Sequence, residues 1–367
     1  MFGSMEKPIK QTGEIHKVIK YKSSPVAYGT GLVSLDIIVS SDPEVPCYNW
    51  AGGTCGNVLT ILNYLGWKSY PIARLNGDAA SIRVKADMER WGVDLNFAEQ
   101  SPTTNTPIIT QENITNKQGK PVHKFHWKNC PKCGAWLPNY KAVTLAATKM
   151  IKDEIASGTL FFFDRTSPGA IDLAKHFKSL GAIIFFEPSA KPDVKHLKQA
   201  LELADIVKYS NEKFLSSLTD IKGFTSAFLE IQTLGNKGLR YRTHSSNNLN
   251  RKWKKMPAFQ TSAFKDACGC GDWTSAGLIS KLCNRKAINL MDTSEDIVIE
   301  AIRYGQALAA WNCGFEGARG GMYQVSESTF KKDIQQIIKI GIIRKKNRTK
   351  RLETEIINSE FCLCNNH

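Results

Sequence analysis

Several things are missing from this sequence, and each absence narrows what it can be. No run approaches the roughly 18 consecutive apolar residues of a membrane-spanning helix, so no membrane partner is expected. Residues 1–24 are polar and basic and contain no apolar stretch. They do not read as a secretory signal, and are expected to form a loosely attached arm. No internal repeat or low-complexity tract is present, which excludes solenoid and fibrous classes. Acidic residues are in the minority, 34 Asp and Glu against 49 Lys and Arg, a net charge of +15. An excess of that size favours anionic ligands such as nucleotides, phosphosugars or nucleic acid. Ten cysteines in 367 residues are too sparse for a disulfide scaffold. Most are expected to be buried thiols of a cytoplasmic protein.

What is present reads as a large α/β domain. The hydrophobic fraction of 42% is ordinary for a globular chain. Residues 26–40 read as a Gly-containing strand. The glycines of Ala51-Gly52-Gly53 form a turn, and Val58, Ile61, Leu62 and Leu65 then have helical spacing. Residues 104–128 alternate like a β-hairpin around a turn at 116–120. From 158 onward, short apolar runs (TLFFFD, AIIFFEP, ADIVKYS) alternate with amphipathic helices, the signature of a parallel sheet covered on both faces. The expected division is an arm at 1–24, a main domain at 25–340 with a β-rich insertion at about 97–140, and a basic tail at 341–367. The run at 343–351 reads first as a solvated face or tail.

The strongest chemical signal is Asp266-Ala-Cys-Gly-Cys-Gly-Asp272, directly before an apolar helix. Small residues allow close backbone approach to a ligand, and the first amides of a helix lack internal partners and attract anions. A carboxylate beside such a cradle suits phosphoryl transfer. Asp272 accepts a hydroxyl proton, while the amides of Gly269, Cys270 and Gly271 stabilise charge on the moving group. The alternative is that Asp272 merely caps the helix. Cys268 and Cys270 read as small packing residues, and a thiol reagent that blocked activity would single out Cys270.

This motif resembles the C-terminal signature of the ribokinase-like (phosphofructokinase-B) carbohydrate kinases, with Ala267 in place of a hydroxyl residue and Cys270 in place of Ala. Ala51-Gly52-Gly53 with Asn57 resembles the family's sugar-contacting segment, and Asp36 falls where an acid meets substrate hydroxyls. Gly77-Asp78, Thr233-Leu-Gly235-Asn-Lys-Gly238 and Gly317-Ala318 are similar to further family landmarks, in matching order across about 26–325. The resemblance implies a three-layer α/β/α sandwich with a small β-rich lid that often mediates homodimerisation. It implies ATP and Mg²⁺, with substrate contacts from Asp36, Gly52, Gly53 and Asn57. Nucleotide contacts would come from Lys208, Thr233, Gly235, Gly238 and Asp266. The family's magnesium-linked N-x-x-E segment is Ser210-Asn211-Glu212-Lys213 here, leaving Glu212 as the indirect magnesium candidate. Lys208-Tyr-Ser210 and Glu187-Pro188 look most like fructokinase or ketodeoxygluconate kinase members, which favours a sugar or sugar acid over a nucleoside.

One segment stands outside the resemblance. Cys130-Pro-Lys-Cys133-Gly is a tight turn of the kind that presents two thiolates to zinc, with His126 and His123 as further candidates and Cys362 or Cys364 as a distant fourth ligand. The alternative is an ordinary turn with two unremarked cysteines. Three functional readings remain at this point: a sugar kinase, a kinase-fold binding module, and a kinase for a nucleoside or a nucleic-acid-linked sugar. Nucleic acid is the less favoured partner.

Overall fold

A computed structural model describes residues 24–42, 44, 47–189, 193–210, 227–244, 252–261, 264–284 and 290–343. The basic arm, the basic tail, Glu212, Lys213, Cys362 and Cys364 lie outside the described residues.

Apolar runs build the central sheet. β8 (Leu160–Phe163) and β9 (Ile183–Phe186) are strings of Phe, Ile and Leu, nearly all buried, as strands covered on both faces must be. With β1 (Val26–Thr30), β4 (Lys68–Leu75), β5 (Ala98–Gln100), β10 (Ile206–Ser210), β11 (Leu229–Thr233), β12 (Leu239–Thr243) and β13 (Lys254–Met256) they form one nine-stranded sheet, in the order β13-β12-β11-β10-β9-β8-β1-β4-β5. All neighbours pair in parallel except β12, which is antiparallel to both β11 and β13. A second, four-stranded sheet has the order β3-β2-β6-β7, from β2 (Ser34–Val39), β3 (Tyr48–Gly52), β6 (Ile108–Thr115) and β7 (Pro121–His126).

Helices cover both faces of the large sheet. One apolar cluster joins it to α1 (Thr54–Tyr64), α2 (Ala79–Arg90), α6 (Cys270–Leu282), α7 (Glu295–Asn312) and α9 (Glu327–Ile340); α8 (Gly320–Gln324) is a single short turn between the last two. The opposite cluster joins it to α3 (Leu145–Glu154), α4 (Pro168–Ser179) and α5 (Val194–Leu203). Starts are set locally: the side chains of Asp78, Thr144, Ser167, Asp193 and Ser326 each accept a first-turn amide, relieving donors the helix itself cannot satisfy. α6 and α7 cross closely, since a Cβ on Gly277 would lie 2.6 Å from the Cα of Gly305.

The three-layer sandwich with a small β-rich sheet is therefore as expected, but the small sheet is assembled differently. Residues 26–40 are two strands, because Gly31 (φ 146°) turns the chain out of the central sheet after β1. The small sheet then takes β2 and β3 from 34–52 as well as the hairpin at 108–126, while β5, inside the expected insertion, belongs to the large sheet. Hydrophobic alternation locates strands but carries no information on which sheet they join.

Candidate active site

Parallel strands place their C-terminal ends along one edge, where an open α/β sheet binds its ligands. Ser210 and Thr233 close β10 and β11 side by side there. The following Leu234–Gly238 segment is a tight turn, with the Leu234 amide donating to Gly238 O at 2.8 Å. Thr233, Gly235 and Gly238 thus sit together at this edge, between strands β11 and β12.

Asp272 lies in the first turn of α6, whose N-cap is Gly269 in the left-handed region (φ 75°). The capping alternative for Asp272 is thereby displaced. Its Oδ2 instead accepts from Asn57 Nδ2 at 2.8 Å. A Cβ on Gly269 would lie 2.4 Å from the backbone oxygen of Ala318, so the turn is wedged against the 317–319 loop. Trp273 N–H bonds back to Gly269 O at 2.9 Å and Cys270 N–H to Ala267 O at 3.3 Å, while the Gly271 and Asp272 amides belong to the first turn of α6, which lacks intrahelical acceptors. Burial and the nearby Glu187 carboxylate push the Asp272 carboxyl well above its ordinary value, against the Asn57 hydrogen bond and Lys208.

Behind the cradle lies a buried pair. Lys208 Nζ donates to Glu187 Oε1, Ser275 Oγ donates to Glu187 Oε2, and a Cβ on Gly271 would come within 3.6 Å of both charged groups. Lys208, expected at the nucleotide, is 2% exposed and supports the wall from behind. Asp164, at the end of β8, is equally enclosed. It accepts from the Leu32 amide at 2.9 Å, Ser189 Oγ at 2.6 Å and Arg165 at 2.9 Å.

On the small sheet, Asp36 accepts from Ser34 Oγ at 2.8 Å and packs so closely on Gly52 that a Cβ there would sit 1.9 Å from its carboxylate. Burial pushes Asp36 up to about 6, opposed by the Ser34 hydroxyl, Arg319 and the Gly53 amide. Gly53 begins α1 at φ 77° and Asn57 follows one turn later. Asp36, Gly52, Gly53 and Asn57 are therefore brought together, and Asn57 links them to Asp272.

The sequence reading missed Arg319. It is 1% exposed, donates from Nε to Asn57 Oδ1 at 3.1 Å, and donates from Nη2 to Asp87 Oδ2 at 2.8 Å and to Ala51 O. Asp87 also accepts from Tyr323 at 2.9 Å and from the Ala51 amide at 2.8 Å. With its oxygen held by Arg319, the Asn57 amide presents its NH₂ to Asp272. The one available signal was a lone charge in the small-residue stretch Gly317-Ala-Arg-Gly-Gly321; Asp87 carried none.

The Asp266 carboxylate, expected at the nucleotide, is engaged by protein groups. It accepts from Gln111 Nε2 at 2.6 Å, the Gly317 amide at 2.8 Å and the Cys268 amide at 2.8 Å, and meets His123 Nδ1 at 3.0 Å. Burial would raise it, but His123 and the two amides outweigh burial and hold it below the ordinary value. Asp266 is thus a clasp between the small sheet and the loop carrying Asp272.

Among the described residues, which leave out Cys362 and Cys364, the expected zinc set does not assemble. Cys130 is buried and Cys133 exposed, in a turn closed by Gly134 N–H to Cys130 O at 2.9 Å. His126 is turned to Glu112 at 2.5 Å and His123 to Asp266. Among the described residues, no group of three or more His, Cys, Asp or Glu is placed to hold a metal ion.

The profile of the pfkB family carbohydrate kinases matches residues 47–324, and the chain belongs to that family. Solved structures with the same fold include a fructokinase with bound ATP from Xylella fastidiosa, 16% identical, TM-score 0.63, covering 80% of this chain and 93% of that one. A sugar kinase from Pyrococcus horikoshii is 20% identical, TM-score 0.58, over 80% and 93%. An aminoimidazole riboside kinase from Salmonella enterica, complexed with aminoimidazole riboside and an ATP analogue, is 17% identical, TM-score 0.58, over 80% and 95%. No curated protein matches the chain.

Proposed function

We propose that this protein is an ATP-dependent kinase that transfers the γ-phosphate to a hydroxyl of a sugar or sugar-like small molecule. The observation that carries this reading is the bond from Asn57 Nδ2 to Asp272 Oδ2, which joins a polar substrate-side cluster to a carboxylate beside helix-start amides. Asp36, Gly52, Gly53 and Asn57 hold the substrate hydroxyls. Asp272 takes the proton from the attacking oxygen, and its raised proton affinity makes it a stronger base than an ordinary aspartate. The Gly269, Cys270 and Gly271 amides receive the charge on the transferring phosphoryl group. The Thr233–Gly238 turn borders the nucleotide.

The donor set fits a magnesium nucleotide held mainly through its phosphates. Glu187 and Asp164 are engaged by protein partners, and Glu212 lies outside the described residues. Mg²⁺ when bound supplies charge neutralisation on the phosphates. A homodimer through the small sheet belongs to the same reading, since Val122 on β7 is exposed and Trp127 and Trp136 beyond it are 52% and 66% exposed.

The test is ADP release from Mg-ATP over hexoses, ketoses, sugar acids and nucleosides, a span suggested by the fructokinase and riboside kinase among similar structures. Asp272→Asn is expected to lower turnover about 10²- to 10⁴-fold with an unchanged circular dichroism spectrum. A near-normal rate in that variant would sink the mechanism.

A further inference from the structure

Cys270 opens α6, in the wall of the cradle, and Cys313 caps the C-terminal end of α7. Their sulfurs lie 3.1 Å apart and both residues are half-buried. The two thiols share a hydrogen bond in which either sulfur can donate, and that bond holds Cys313 below the ordinary thiol value despite burial and the nearby Asp266. That same hydrogen bond, with burial, pushes Cys270 far up. Two sulfurs this close can share one proton, so loss of the other leaves a thiolate directly beside a thiol that can resolve it. The neighbouring thiols differ. Cys268 and Cys55 are buried, and burial raises both.

We propose that Cys270 and Cys313 form an oxidation site at which a hydroperoxide converts the two thiols to a disulfide across the first turn of α6. The Cys313 thiolate attacks the O–O bond, forming a sulfenic acid and releasing hydroxide or alkoxide. The Cys270 sulfur then displaces the sulfenic oxygen, forming the S–S bond. The leaving oxygen departs as water with the Cys270 proton, and the first hydroxide or alkoxide takes the proton originally lost by Cys313. Two thiols and one hydroperoxide thus yield one disulfide, one water and one alcohol or second water.

The consequence follows from spacing. A disulfide needs its sulfurs about 2.05 Å apart, so they must close by roughly 1 Å from their present 3.1 Å. Gly269 is wedged on Ala318, and the Cys313 oxygen is held by the Lys265 and Asp266 amides at 2.7 and 3.2 Å, so part of the displacement falls on Cys270 and on Gly271 and Asp272 after it. Misplacement of a reacting group by about 1 Å costs on the order of 10²-fold in rate. This consequence rests on the kinase reading; the disulfide itself does not.

The test uses the full chain, reduced and then titrated with hydrogen peroxide, quenched by alkylation and mapped by peptide mass spectrometry. A crosslink between the Cys270 and Cys313 peptides is expected, together with at least a tenfold fall in ADP release that dithiothreitol reverses. Cys313→Ser, with Cys313→Ala as a second variant in case the first folds poorly, is expected to keep its rate under the same peroxide dose. The oxidation site is overturned if both thiols stay alkylatable or the crosslink maps to another pair. Control of turnover is overturned if the crosslink forms without loss of rate, or if the Cys313 variants lose rate equally. Should the reduced protein show no turnover on any substrate, the kinase reading fails and the crosslink map alone decides the thiol pair.

Discussion

Asp36, proposed to hold substrate hydroxyls, illustrates how an enclosed carboxylate weakens the fold that holds it. Its folded-state value of about 6 lies above the ordinary 3.8. The folded protein therefore binds this proton more tightly than the unfolded chain does, and the associated stability is fully present below pH 3.8 and lost as pH rises to about 6. Asp36→Asn is expected to raise stability at neutral pH by up to about 3 kcal/mol while raising KM for the sugar, both readable by thermal melts and steady-state kinetics. Asp272 is shifted in the same direction, so kcat/KM should rise with pH through a limb lying well above the range of an ordinary aspartate. A pH profile flat down to 4.5 would contradict its role as base. Arg319 is a third case, since it is buried against Asp87, Asn57 and Ala51. Arg319→Met strands Asp87 and is expected to cost about 3–5 kcal/mol in urea unfolding. Adding Asp87→Asn should recover part of that loss, because the stranded charge is then gone.

At the scale of elements, α6 and the small sheet decide the site. The α6 start depends on a left-handed Gly269 pressed on Ala318. Gly269→Ala meets both a φ penalty and a backbone clash, and should lose about 1–3 kcal/mol and most turnover, seen in melts and ADP assays together. The small sheet reaches α6 through Asp266, which gathers Gln111 of β6, His123 of β7 and the Gly317 amide. The late helices and the hairpin at 108–126 were legible as separate elements from their apolar periods. The clasp between them was not, because its partners are up to 155 residues apart in sequence and no spacing rule relates them.

At the scale of the whole molecule, the small sheet is the face through which a homodimer is proposed. Exposed Trp127 and Trp136 supply apolar area of the kind found at interface centres. Light scattering at tens of micromolar is expected to give a dimer, and Trp127→Ser with Trp136→Ser a monomer. A monomeric parent would remove that proposal. No helix among the described residues is long and apolar enough to cross a membrane.

The sequence by itself determined the α/β class, the strand and helix rhythm from 158 onward, and the linear motifs at 51–57, 233–238 and 266–272. These are local properties, set by side-chain period, glycine geometry and residues adjacent in the chain. Tertiary structure alone decided that Asn57 holds Asp272 from 215 residues away and that Lys208 faces Glu187 rather than open solvent. It also turned His126 to Glu112 instead of toward Cys130. A buried charge or a polar amide settles on whichever partner the packed layers bring within about 3 Å, and that choice is made only when distant segments meet.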